Sequence, residues 1–187
     1  MRRLLQALAV GLLLLYPLLV FVGSQRWSPR GLALLLLLVL IVRGLTLPSA
    51  AAWRDWRWPL LVGIGFALLA LLLNDGQWLR YYPVLISLTM LVLFAGSLRW
   101  PPSIIERIAR IEKGGELDAR EVQYTRKLTA IWCGFFLFNA VIAVFTALQP
   151  SITWWAIYNG LLSYLLMGVL LFGERLFRKP LRNWLVP

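Results

Sequence analysis

The chain of 187 residues is 60% hydrophobic and 14% charged, far from the roughly 45–50% apolar and about 25% charged balance of soluble domains. A soluble fold is excluded on that ground, and the net charge of +11 is read as attraction to anionic lipid beside apolar spans, not to nucleic acid. The absence of histidine removes histidine general bases, haem ligands and histidine-containing metal sites from its chemistry.

Six apolar stretches predict an all-α, polytopic membrane bundle forming one domain over residues 1–187, with no separate extramembrane catalytic domain. The first, about 4–22, follows Arg2 and Arg3 and resembles the start of a signal peptide. It is too long for one and lacks a small-residue cleavage site before Trp27, so a retained helix is expected. The second covers about 31–47, with Arg43 placed to snorkel. The third, 59–73, is short, and Trp56, Trp58 and Trp78 are placed to anchor it at the interfaces. The fourth is about 82–98, the fifth 129–148 and the sixth 152–172, with only Gln149, Pro150 and Ser151 between the last two. Between the third and fourth, Asn74-Asp75-Gly76 is turn chemistry before it is a carboxylate site. Cys133, the single cysteine, lies in an apolar run and reads as a small core residue.

Sixteen of the nineteen Lys and Arg fall on one side of this six-span arrangement. Because cytoplasmic flanks carry that excess, the expectation is a multi-pass membrane protein with both termini cytoplasmic. The cytoplasmic loop, 99–128, starts with Pro101 and Pro102, after which Ser103 and Glu106 are spaced as a capping box. Ile104, Ile108 and Ile111 share one face of the helix that follows, and Glu106, Arg107, Arg110 and Lys113 fall elsewhere, a pattern suited to a bilayer surface. Gly114 and Gly115 end it, and a second polar helix from about Glu116 is expected to run into the fifth span.

Polar residues within spans are the places to look for function. On the fifth helix Trp132, Phe135, Phe136, Asn139 and Ala143 share a face, and on the sixth Trp155, Asn159, Ser163 and Met167 do so. In an antiparallel hairpin Asn139 and Asn159 differ in depth by roughly 3 Å, so their amides are placed to meet, either as an interhelical hydrogen bond or as part of a groove for an acyl chain. Trp132, Phe136, Asn139, Trp155, Asn159 and Ser163 are the candidate groove. Arg107, Arg110 and Lys113 are a candidate docking surface for lipid headgroups or an acidic partner such as acyl carrier protein. The span centres carry no charge, which argues against an ion-coupled transporter. Asp75 and Glu174 lie on opposite sides of the bilayer and form no acid/base pair. No catalytic residue, metal ligand or cofactor is assigned.

Tyr124-Thr125-Arg126, Trp132-Cys133-Gly134-Phe135-Phe136 with Asn139, then Trp155, Tyr158-Asn159-Gly160 and Gly173-Glu174 resemble a family of bacterial inner-membrane proteins encoded among fatty-acid-synthase-like genes for aryl polyene pigments. The likeness covers roughly residues 80–180. A more distant one is to the intracellular septation protein A family, which has a similar Trp, Phe-Phe, Asn helix but tends to carry a lysine-bearing stretch where this chain has Tyr158-Asn159-Gly160. These resemblances imply a non-enzymatic accessory protein for envelope lipid or aryl-polyene lipid synthesis, working with membrane lipids and cytosolic biosynthetic enzymes. A lipid or polyene translocator is the alternative, and a membrane acyltransferase the third.

Overall fold

The computed structural model describes the backbone of residues 2–24, 26–47 and 50–185, and the side chains of 4–24, 26–47, 53 and 56–176. Arg2, Arg3, Arg54 and the tail's Arg178, Lys179 and Arg182 lie outside the described side chains. Among the described residues all regular structure is helical: α1 (Arg2–Leu14), α2 (Tyr16–Gly23), α3 (Pro29–Leu45), α4 (Ala50–Leu73), α5 (Gly76–Leu79), α6 (Tyr82–Arg99), α7 (Ile104–Lys113), α8 (Ala119–Leu148), α9 (Ile152–Ile157), a π-helical turn (Tyr158–Leu162) and α10 (Ser163–Leu185).

Among the described residues four stretches are long and apolar enough to cross a membrane: Trp56–Leu73, Gly76–Arg99, Ala119–Leu148 and Ile152–Leu176. A fifth is present if α1 and α2 count as one broken span. Large apolar side chains such as Leu72 (78% exposed) and Val169 (71%) point outward, an inside-out pattern relative to a soluble core. The protein is therefore read as membrane-embedded.

The expected first span does not run straight. It bends by 63° at Leu15, where Pro17 sits in the first turn of α2. Proline has no N–H for the carbonyl four residues back and its ring crowds that carbonyl, which breaks the helix there. The third span differs in the other direction, because α4 begins at Ala50 and carries Pro59 inside it. The one backbone bond lost at Pro59, in the helix interior, is tolerated where other groups can satisfy the freed carbonyl.

Local chemistry sets the remaining boundaries. Ser28 caps α3 by accepting a hydrogen bond from Gly31 N at 3.2 Å, with Pro29 in its first turn. Asp75 accepts from Gln77 N at 2.9 Å and starts α5, while Asn74 takes φ +50, so Asn74-Asp75-Gly76 is a turn. The second polar helix begins at Ala119, not at about Glu116, and runs continuously into the fifth span as α8.

The chain packs as two units, Met1–Ile86 with Ile142–Ser163 and Ser87–Val141 with Tyr164–Pro187. The first has a core that includes Tyr16, Leu36, Leu79, Tyr82 and Trp155. Polar bonds tie it at one place: Trp155 Nε1 donates to Arg80 O at 2.8 Å, Arg80 donates to Gln149 O at 3.2 Å, and Tyr16 donates to Leu79 O at 3.4 Å. Gln6 donates to the Thr46 carbonyl, joining α1 to the end of α3. The second unit is built on Tyr124, Leu128, Trp132 and Phe136, with Phe94, Ile105, Met167 and Leu170 against them.

Candidate functional site

The second unit contains a cleft of about 660 Å³, within the roughly 300–1,000 Å³ of small-molecule sites. The local sequence forms one wall. Ser103 accepts from Glu106 N at 3.4 Å, and Glu106 reaches back to Ser103 N at 3.3 Å, closing the expected capping box and starting α7. Gly114 ends that helix at φ +68, a left-handed conformation that costs glycine least. On α7 so fixed, Ile105, Ile108 and Ala109 line the cleft. Opposite them stand Phe94 of α6, Leu128 and Trp132 of α8 and Leu171 of α10.

Glu106, which closes the capping box, is buried. It is 5% exposed, and Arg110 reaches it at 2.7 Å, giving the buried charge the partner it needs. Ile111, by contrast, is 80% exposed.

Charged and hydroxyl groups share its lining: Glu112, Lys113, Glu121, Tyr124, Glu174 and Arg175. Tyr124 donates to Glu174 Oε1 at 2.9 Å, linking α8 to α10. Lys113 reaches Glu121 at 2.6 Å, and Glu121 also accepts from Asp118 N at 2.9 Å. The thirty residues of α8 extend about 45 Å, more than the roughly 30 Å hydrocarbon core, so its first turns, Glu121 among them, project beyond it. The hydrogen bond from Lys113, then that from Asp118, hold the Glu121 carboxyl below its ordinary range. Among the described residues no three metal-binding side chains come together.

The structure divides the groove expected on the last two long helices. Trp132 and Phe136 pack in the second unit with ring centroids 5.7 Å apart, and Asn139 belongs to that unit, where it donates to Ser87 Oγ at 2.8 Å. Trp155, Asn159 and Ser163 belong to the first unit. Asn159 donates to Thr146 Oγ1 at 3.1 Å and to Trp155 O at 2.9 Å, leaving its buried Oδ1 without a partner among the described residues. Ser163 donates to Asn159 O at 3.1 Å, inside the α10 end of the π-helical turn. Each amide thus bonds to a hydroxyl within its own unit. Cys133 is only partly buried, not a core residue.

Of the expected docking cations, Arg110 is held by Glu106 and Lys113 by Glu121, and Arg107 is exposed. A double-mutant cycle tests the amide assignment. Asn139→Leu and Ser87→Ala should each cost about 0.6–2 kcal/mol in mixed-micelle unfolding and couple measurably, as interhelical membrane hydrogen bonds do. Asn139→Leu with Asn159→Leu should be additive within about 0.5 kcal/mol, and coupling between those two would restore the direct pair.

The cleft and the Tyr124–Glu174 bond were not anticipated, although a signal for the bond exists. Tyr124 lies twenty-six residues before Pro150 and Glu174 twenty-four after it, so in an antiparallel pair they reach the same end within about 3 Å. The apolar wall from α7 left no such mark, since it depends on how a loop helix folds back. Compared with known proteins, the chain matches no family model, no curated protein and no solved structure.

Proposed function

We propose that this protein is a non-enzymatic accessory protein of the bacterial inner membrane that holds an acyl-bearing amphiphile for envelope lipid or aryl-polyene lipid assembly. The cleft carries this reading. Most of its lining is apolar and aromatic, suited to a hydrocarbon tail, and the charged and hydroxyl groups that share it suit a polar head. The membrane arrangement proposed with it has six spans. α1 and α2 together make one, and α3, at seventeen residues, reaches about 25 Å and meets the lower limit for crossing. With six spans, sixteen of the nineteen Lys and Arg share one side, which supports a cytoplasmic location for both termini and α7. The α7 face, with Ile108 and Ile111 exposed, then lies on the bilayer surface and admits a chain from the cytoplasmic leaflet.

Native mass spectrometry of the protein gently extracted from its own membrane tests the proposal. The expected result is a retained acyl species that Ala109→Trp, which fills the cleft from the α7 wall, removes while leaving thermal stability unchanged. The same species on both proteins would place it elsewhere and overturn the reading.

A further inference from the structure

Where α3 ends and α4 begins, two arginines lie over two tryptophans. The Arg43 guanidinium carbon is 5.8 Å from the centre of the Trp56 ring, and that of Arg57 is 5.5 Å from the centre of Trp58. Trp53 is next to them, its ring 3.5 Å from where a Cβ on Gly44 would stand, so the absent side chain lets it lie close against α3. All three rings remain about half exposed: Trp53 at 47%, Trp56 at 44% and Trp58 at 57%. The apolar stretch Trp56–Leu73 starts here, which puts the rings at the boundary between hydrocarbon and headgroups, where tryptophan concentrates.

A ring under a guanidinium holds it through its electron-rich face and occupies none of its N–H donors. Among the described residues no hydrogen bond or ion pair engages the side chain of either Arg43 or Arg57, whereas Arg110 and Lys113 are joined to carboxylates. Residues 43–57 contain three arginines against one aspartate. Fixed, positively charged forks with open donors match the planar, bidentate geometry by which arginine recognises phosphate. The exposed rings beside them suit the glycerol and upper acyl region of the same molecule.

We propose that Arg43 and Arg57, held by Trp56 and Trp58, form a headgroup site for an anionic phospholipid of the surrounding bilayer. This site lies within the first packing unit and does not depend on the cleft. Its occupant is a structural lipid recognised by its phosphate and net negative charge, not a cargo.

The test uses the full chain in detergent, with thermal unfolding and native mass spectrometry after adding phosphatidylglycerol or phosphatidylcholine. Phosphatidylglycerol should be retained preferentially and should raise the Tm, and phosphatidylcholine should not. Arg43→Gln combined with Arg57→Gln should remove that preference, lowering retention by roughly tenfold or more, the order expected for two basic groups at a membrane surface. Arg26→Gln with Arg30→Gln, the same change of charge on exposed side chains, should leave the preference intact. If the first double variant does not fold, Arg57→Gln alone removes an exposed side chain with no hydrogen bond to lose and should still reduce retention. A full preference surviving in these variants, or an equal loss in the Arg26/Arg30 control, would assign the effect to general surface charge and overturn the site. A Tm lowered without lipid but raised normally by phosphatidylglycerol would show the stacked pairs to be purely structural, with the same consequence.

Discussion

Trp155→Ala is expected to cost about 3–5 kcal/mol of unfolding free energy, the range for truncating a well-packed tryptophan. The side chain is wholly buried, at 0% exposure, within the core that includes Tyr16, Leu36 and Leu79, so its removal leaves a sealed void. Its indole also donates to Arg80 O at 2.8 Å, at the place where Arg80 itself reaches back to Gln149 O. Trp155→Phe separates the two contributions, since it keeps much of the ring volume and loses the donor. That variant should cost about 1 kcal/mol more than its packing change alone, the scale of a hydrogen bond inside a membrane. Mixed-micelle unfolding of both variants reads the difference. A cost under about 1 kcal/mol for Trp155→Ala would mean that the cavity collapses or fills, contrary to a rigidly packed core.

What sequence reading reaches, and what it misses, follows from the range of the interaction involved. Ser103 with Glu106, Asp75 beside Gly76, and Gly114 at the end of α7 act across three or four residues, so spacing alone announces them. Pro17 is equally visible in the sequence, yet the leucine-rich run around it reads as one span. The structure shows that the proline divides that run at Leu15. The π-helical turn at Tyr158–Leu162 has no comparable signature, because inserting one residue into a helix changes its phase and not its composition. Partner choice is the least legible level. Equal depth made Asn139 and Asn159 suitable for one another, but a hydrogen bond needs a particular azimuth as well, and the two amides donate to Ser87 and Thr146. The Tyr124–Glu174 bond satisfied the same depth rule and did form. Depth is therefore a necessary condition that cannot by itself select partners.

Trp132→Ala should weaken both stability and ligand retention, and the two losses should be separable. The indole packs against Phe94, Phe135 and Phe136 with ring centroids 6.3, 5.6 and 5.7 Å away, each pair worth about 0.5–1.5 kcal/mol beyond burial. It also forms part of the cleft wall. The void left by truncation opens into that cleft instead of being sealed, so a detergent or lipid tail can fill it. The stability cost should accordingly fall near 3 kcal/mol, at the low end of the range for such truncations, and below that of Trp155→Ala measured in the same micelles. A saturating acyl amphiphile at about a hundred times its Kd should stabilise the original protein by about 2.7 kcal/mol through binding to the folded state alone. The Trp132→Ala protein should gain less at the same concentration, because the aromatic wall that confines the tail is gone. Trp132→Phe should restore most of the gain. An equal gain in Trp132→Ala would show that the bound chain does not touch this wall, and the cleft would lose its claim to the ligand.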